Sequence, residues 1–180
     1  MTKEKGGFLI PEEKIKERVR ELAKQISKDY AGKRPLLVGI LKGAFIFLAD
    51  LIRELSVEAE VDFLAVSSYG KATETSGEVK ILKDLSESIE GKDVIIVEDI
   101  VDTGLTLRYL YDLLQTRKPA SLKICVFLDK KERRQVEVPV DYVGFEVPDL
   151  FLVGYGLDFA EKYRQLKYIR ELSPEEVKNV

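Results

Sequence analysis

Residues 94 to 107 read "VIIVEDIVDTGLTL": an apolar run closes on Glu98 and Asp99, and Asp102, Thr103, Gly104, Leu105 and Thr106 follow. A strand end, a Thr/Gly turn and a helix start together gather backbone N–H groups, two hydroxyls and the positive end of a helix dipole around one point. Such a cup holds a phosphate, and the dipole adds about 0.3–1 kcal/mol. Carboxylates beside an anion socket make sense if one ligand carries both a phosphate and hydroxyls. The N–H groups of Asp102 to Thr106 would take the phosphate, and Glu98 and Asp99 would accept hydrogen bonds from the hydroxyls. A ribose 5-phosphate has this arrangement. Period-two alternation predicts that Glu98 and Asp99 leave the strand in different directions, without contact repulsion.

Composition narrows the chemistry further. The 180 residues include no histidine and one cysteine, and 32 acidic residues against 29 basic give a net charge of −3. Imidazole catalysis, histidine metal ligands and cysteine-rich zinc sites are excluded, so proton transfer falls to Asp, Glu, Lys or Tyr. An intrachain disulfide is impossible. Cys125, inside "LKICVFL", reads as a buried thiol. The acidic balance gives no general reason to expect nucleic acid as a partner. The longest mostly apolar stretch, "AFIFLADLI" from Ala44, is far short of the roughly 20 residues of a membrane span. The charged N-terminus has no signal-peptide apolar region. A cytoplasmic protein with no membrane partner is expected.

The elements that must position these residues alternate. Ile15, Val19, Leu22, Ile26 and Tyr30 step by three or four, which predicts an amphipathic helix between Pro11 and Gly32. Strands are predicted at 35–41, 60–68, 93–98 and 121–128, with helices at 44–55 and 104–116 between them. Short, almost wholly apolar strands alternating with helices predict an α/β fold whose mainly parallel sheet is covered on both faces. Ligands of such sheets bind beyond the carboxyl ends of the strands. Residues 69–83, "YGKATETSGEVKILK", read as a long mobile hairpin or lid. "PVDYVGFEV" and "LFLVGYGLD" read as strands joined near "PDL", and Ser173 as the N-cap of a closing polar helix.

The fourteen-residue string resembles the phosphoribosyl pyrophosphate (PRPP) signature of type I phosphoribosyltransferases, and its "VEDIVDTG" form resembles that of the hypoxanthine-guanine phosphoribosyltransferases. The likeness extends to "LKGA" at 41, "SYG" at 68, "DK" at 129 and "VGFEVPDLFLVGYGLD" from Val143. It implies one domain over 1–180: a twisted, mainly parallel core at about 30–135 flanked by helices, a small hood made from the N-terminal segment and about 140–180, and a mobile lid at 68–83 that includes Ser68 and Tyr69. It further implies that Glu98 and Asp99 hold the ribose hydroxyls and Mg²⁺. Asp102 to Thr106 would wrap the 5-phosphate, and Asp102 would be the general acid/base near N7 of the purine. Lys42 and Gly43 would bind pyrophosphate, in a turn that in the family often has a cis bond before the lysine, and Arg164 would also bind pyrophosphate. Lys130 would donate to the purine O6, Phe151 would stack on the ring, the Leu152 backbone would meet its edge, and Asp158 would contribute at the purine side and to Mg²⁺ and pyrophosphate. The implied reaction converts PRPP and hypoxanthine, and also guanine, to IMP or GMP and pyrophosphate, in a homodimer or homotetramer.

"DKKERR" from Asp129 invites a nucleic-acid reading, but a solvated basic turn suits an acidic chain better, with Arg134 and its neighbours structural or at a subunit contact. A regulator that keeps the PRPP fold while binding RNA or DNA could dispense with the base-side residues, yet Asp102, Lys130, Phe151 and Asp158 are all present. The P-loop pattern is absent, and "GYGLDF" lacks the third glycine of a dinucleotide fingerprint.

Overall fold

The computed structural model describes residues 7–68 and 79–179. In chain order the elements are β1 (Leu9–Ile10), α1 (Glu12–Asp29), β2 (Leu36–Leu41), α2 (Phe45–Glu54), β3 (Glu60–Ser68), β4 (Val79–Lys83), β5 (Asp93–Val101), α3 (Leu105–Gln115) and β6 (Ser121–Asp129). A 3-10 turn (Lys131–Arg133) follows, and then β7 (Tyr142–Glu146), β8 (Leu152–Val153), β9 (Ile169–Glu171) and α4 (Pro174–Lys178).

The main sheet has the order β4-β3-β2-β5-β6-β7 and is parallel except for β4, which runs antiparallel on β3. Alternation sends Leu37, Ile95, Val97, Cys125 and Phe127 into the core shared with α1 and α2, and Val38, Ile40, Val94, Ile96, Ile124 and Val126 into the one shared with α3. The predicted stripe of α1 is the face it buries: Ile15, Val19, Leu22 and Ile26 are at most 2% exposed. Helix α3 buries Leu107, Leu110 and Leu114 on the opposite side. Cys125 is fully buried, and burial pushes its thiol pKa up. It is a core side chain, as its surroundings in the sequence predict.

Three expectations need correction. First, β5 does not stop at residue 98. Its pairing with β6 continues through Ile100↔Leu128 and Val101↔Asp129, so Glu98 and Asp99 lie within the strand. Second, "LFLVGYGLD" is not one strand. Gly154, Tyr155 and Gly156 all take positive φ (102°, 50° and 95°), which coils the chain and limits β8 to Leu152–Val153. Third, part of the predicted lid is regular: residues 79–83 form β4, paired antiparallel with β3 from Ser68↔Val79 to Ala65↔Lys83, with a bulge that shifts the register between Val66 and Ala65. The rest of the predicted lid, with Tyr69, lies outside the described residues.

A second sheet was not foreseen as a sheet. Strands β1, β9 and β8 pair antiparallel in that order, so segments from opposite parts of the chain meet through Leu9↔Arg170 and Leu152↔Glu171. Strands of two or three residues carry too little periodicity to be read locally. The closing helix α4 does start at Ser173, with a capping box between Ser173 and Glu176. No helix of the described residues is long and apolar enough to cross a membrane.

Candidate active site

Four neighbouring strands, β3, β2, β5 and β6, direct their carboxyl ends to one edge of the sheet. Nearly every residue singled out from the sequence sits there or on the chain that crosses it. Beyond Val97, strand β5 loses β2 as a partner, because their register ends at Gly39↔Val97. The Asp99 N–H then donates to Glu98 Oε1 (3.0 Å) and the Ile100 N–H to Asp99 Oδ1 (2.7 Å).

The two carboxyls do not diverge fully as alternation predicts: each lies near enough to shift the other's pKa. Burial, then the charge of Asp99, raise the Glu98 pKa well above the ordinary range. Burial also raises Asp99, against the hydrogen bond from Glu98 and the attraction of Arg164. Local side-chain to backbone bonding, where β5 has lost β2 but still pairs with β6, competes with the two-residue alternation. The pair supplies hard oxygen donors. Among the described residues no group of three or more His, Cys, Asp or Glu side chains could hold a metal ion. Such a set fits Mg²⁺, which keeps waters and borrows phosphate oxygens, better than an ion needing a full protein cage.

The loop after β5 is held in shape from inside. Gly104 caps α3 with φ 84°, and the Leu105 N–H donates to Thr103 Oγ1 (3.3 Å), so this N–H of the predicted cup is already engaged. The N–H groups of the first helical turn otherwise have no partner within α3. Thr103 O accepts from the Gln135 N–H (2.9 Å) and Val101 O from the Lys130 N–H (3.0 Å), which fastens the loop to the segment after β6.

On the other side lies the turn between β2 and α2. The Leu41–Lys42 bond is cis. A side chain at Gly43 would collide with the Asp99 carboxylate, so only glycine allows this approach. Gly156, from the coiled segment after β8, packs on the Gly43 carbonyl, and Gly156 O accepts from Arg164 Nη1 (2.7 Å). Arg164 Nη2 lies 3.4 Å from Asp158 Oδ1 and 3.3 Å from Glu161 Oε1, and Lys42 Nζ is also 3.3 Å from Glu161 Oε1. Arg164 Nε is buried without a partner among the described residues. Asp158, which also accepts from the Glu161 N–H, is turned to this cluster. It does not join Glu98 and Asp99 in a three-carboxylate group.

The remaining residues line the side toward β6 and β8. Lys130 is buried, with Nζ 4.0 Å from Asp149 Oδ1. Phe151 is 44% exposed and meets Phe159 edge-on at 5.1 Å, whereas Leu152 is buried in β8. The backbone of Ser68 ends β3 at the same edge of the sheet. Asp129 is buried and ion-paired to Arg134 (2.5 Å), which makes Arg134 structural as anticipated. Its neighbour Arg133 departs from that expectation: its Nε lies 2.8 Å from Asp102 Oδ1. Glu161 and Asp149 escaped the sequence reading because nothing in their local context separates them from surface charges.

A mainly parallel sheet with a paired-acid strand end, a Thr/Gly loop opening a helix and a lysine-glycine turn against the acids is the arrangement of the phosphoribosyltransferase class of α/β proteins. Comparison with known proteins agrees. Residues 10–160 match the phosphoribosyl transferase domain family. The chain is 53% identical over 166 residues to the hypoxanthine-guanine phosphoribosyltransferase of Bacillus subtilis, covering 92% of each. It is also 53% identical over 167 residues to the bifunctional protein TilS/HprT of Listeria monocytogenes, covering 93% of this chain but only 26% of that relative's length. A crystal structure of a Staphylococcus aureus hypoxanthine phosphoribosyltransferase superposes with a TM-score of 0.90 at 50% identity, covering 95% of this chain and 92% of the other. The chain belongs to the hypoxanthine-guanine phosphoribosyltransferase family.

Proposed function

We propose that the protein transfers the 5-phosphoribosyl group of PRPP to hypoxanthine, and also to guanine, releasing IMP or GMP and pyrophosphate in cytoplasmic purine salvage. The observation that carries this reading is the contact of Gly43 with Asp99. It sets an anion-binding turn with Lys42 directly against acids suited to ribose hydroxyls, as a substrate bearing pyrophosphate at C1 of a ribose requires.

In this reading Asp102 to Thr106 take the 5-phosphate, and Glu98 and Asp99 accept hydrogen bonds from the ribose hydroxyls. Lys42, the Gly43 backbone and Arg164 take the pyrophosphate, while Lys130, Phe151 and the Leu152 backbone hold and orient the purine. The bond from C1 to the pyrophosphate oxygen breaks with oxocarbenium character, N9 of the base bonds to C1, and Asp102 receives the proton that leaves N7. Mg²⁺, when bound by Glu98 and Asp99 with Asp158 beside the pyrophosphate, would neutralise the charge that develops on the leaving group. The hairpin from Ser68 and Tyr69 would close over C1 and exclude water. The small sheet β1-β9-β8 would serve as the hood over the base, and a homodimer or homotetramer is the proposed assembly.

Turnover with PRPP, Mg²⁺ and each of hypoxanthine, guanine, xanthine and adenine tests the proposal. Product with hypoxanthine and none with adenine is expected; inactivity with all four would refute it.

A further inference from the structure

Arg133 ends the 3-10 turn after β6, yet its side chain belongs to the loop after β5. Its Nε lies 2.8 Å from Asp102 Oδ1 and its Nη1 3.6 Å from Asp149 Oδ2, while Asp149 Oδ1 faces Lys130 Nζ at 4.0 Å. The backbone makes this reach reproducible. Val101 and Thr103, the residues on either side of Asp102, each accept a hydrogen bond from the Arg133 segment, through the Lys130 and Gln135 N–H groups. The turn is closed by the Arg133 N–H to Lys130 O (3.1 Å).

The form of the contact is informative. Arg117 grips Asp84 with two nitrogens on two oxygens, as Arg108 grips Asp112, and these are closed surface pairs. Arg133 instead divides its donors between two acids and engages only one oxygen of Asp102. An exposed pair of this kind contributes little to stability. Its effect is on orientation: fixing Oδ1 sets the plane of the carboxylate and leaves Oδ2 as the oxygen presented to a base.

We infer that Arg133 is a positioning residue for the reaction, holding Asp102 by Oδ1 so that Oδ2 meets the purine proton, and linking it through Asp149 to Lys130. The inference rests on the reading of Asp102 as the acid/base.

The test is a double-mutant cycle on the full chain with PRPP, Mg²⁺ and hypoxanthine. Arg133→Ala is expected to lower kcat roughly tenfold with PRPP affinity unchanged, and to have no further effect in the Asp102→Asn background. Arg133→Gln, which keeps a neutral donor, should fall between parent and alanine, and serves if the alanine variant does not fold. Full turnover by Asp102→Asn would remove the acid/base reading and this inference together. A slow Asp102→Asn beside a fully active Arg133→Ala, or losses that multiply in the double variant, would overturn the inference alone.

Discussion

The Asp99 carboxylate occupies the space that a side chain on Gly43 would need, so the turn after β2 and the acids of β5 fit only because residue 43 has no Cβ. Gly43→Ala forces the turn and the carboxylate apart. Overpacking of this kind costs about 1–3 kcal/mol. The strain falls where a pyrophosphate and a ribose would be held side by side. Calorimetric titration with PRPP and Mg²⁺ should show affinity reduced by about tenfold or more; an unchanged titration would separate this turn from the substrate.

Asp102→Asn keeps the size of the side chain and removes its ability to take a proton. The variant should bind PRPP as the parent does while kcat falls by roughly 10²–10⁴. Single-turnover kinetics beside equilibrium binding distinguish the two effects. Lost PRPP binding with intact chemistry is the opposite pattern and would reassign the residue to the phosphate cup alone.

Glu98 carries a raised carboxyl pKa, so the native state binds a proton more readily than the unfolded chain does. Stability therefore falls as pH rises from the ordinary carboxylate range through the raised native value, and the penalty is full above it. Glu98→Gln escapes that penalty. Without ligand the variant should melt above the parent at pH 8, with the gap closing as the pH is lowered, while its affinity for PRPP and Mg²⁺ drops. Melting curves across pH that run parallel for the two proteins would show that the buried charge is not the cause.

Glu161 places one carboxylate oxygen 3.3 Å from both Lys42 and Arg164, and its pKa is held below the usual range, first by Arg164 and then by Lys42. A pyrophosphate seeking the same cations must displace it. Glu161→Gln should tighten product inhibition by pyrophosphate by up to about fivefold, the worth of an exposed ion pair, with little change in Tm. Weaker inhibition would mean that Glu161 organises the cations instead of competing for them.

Much of this site was legible because its parts are contiguous. The acid pair, the loop from Asp102 to Gly104 and the start of α3 lie in one string of fourteen residues, and the alternation of apolar strands and helices follows from burial on both faces of a sheet. What could not be read were contacts between distant segments and the short strands of the second sheet. The mutual approach of Glu98 and Asp99 was likewise hidden, because it depends on where β2 stops pairing with β5.

The sequence by itself determined the class of fold, the Thr/Gly loop that opens α3 and the restriction of proton-transfer chemistry to Asp, Glu, Lys or Tyr in a chain without histidine. Periodicity and composition are local properties, and they suffice for these. The tertiary structure alone decided that Arg133 reaches Asp102 across 31 residues and that Glu161 meets Lys42 across 119. Such contacts arise from which strand ends lie side by side, and nothing in the spacing of residues along the chain encodes that adjacency.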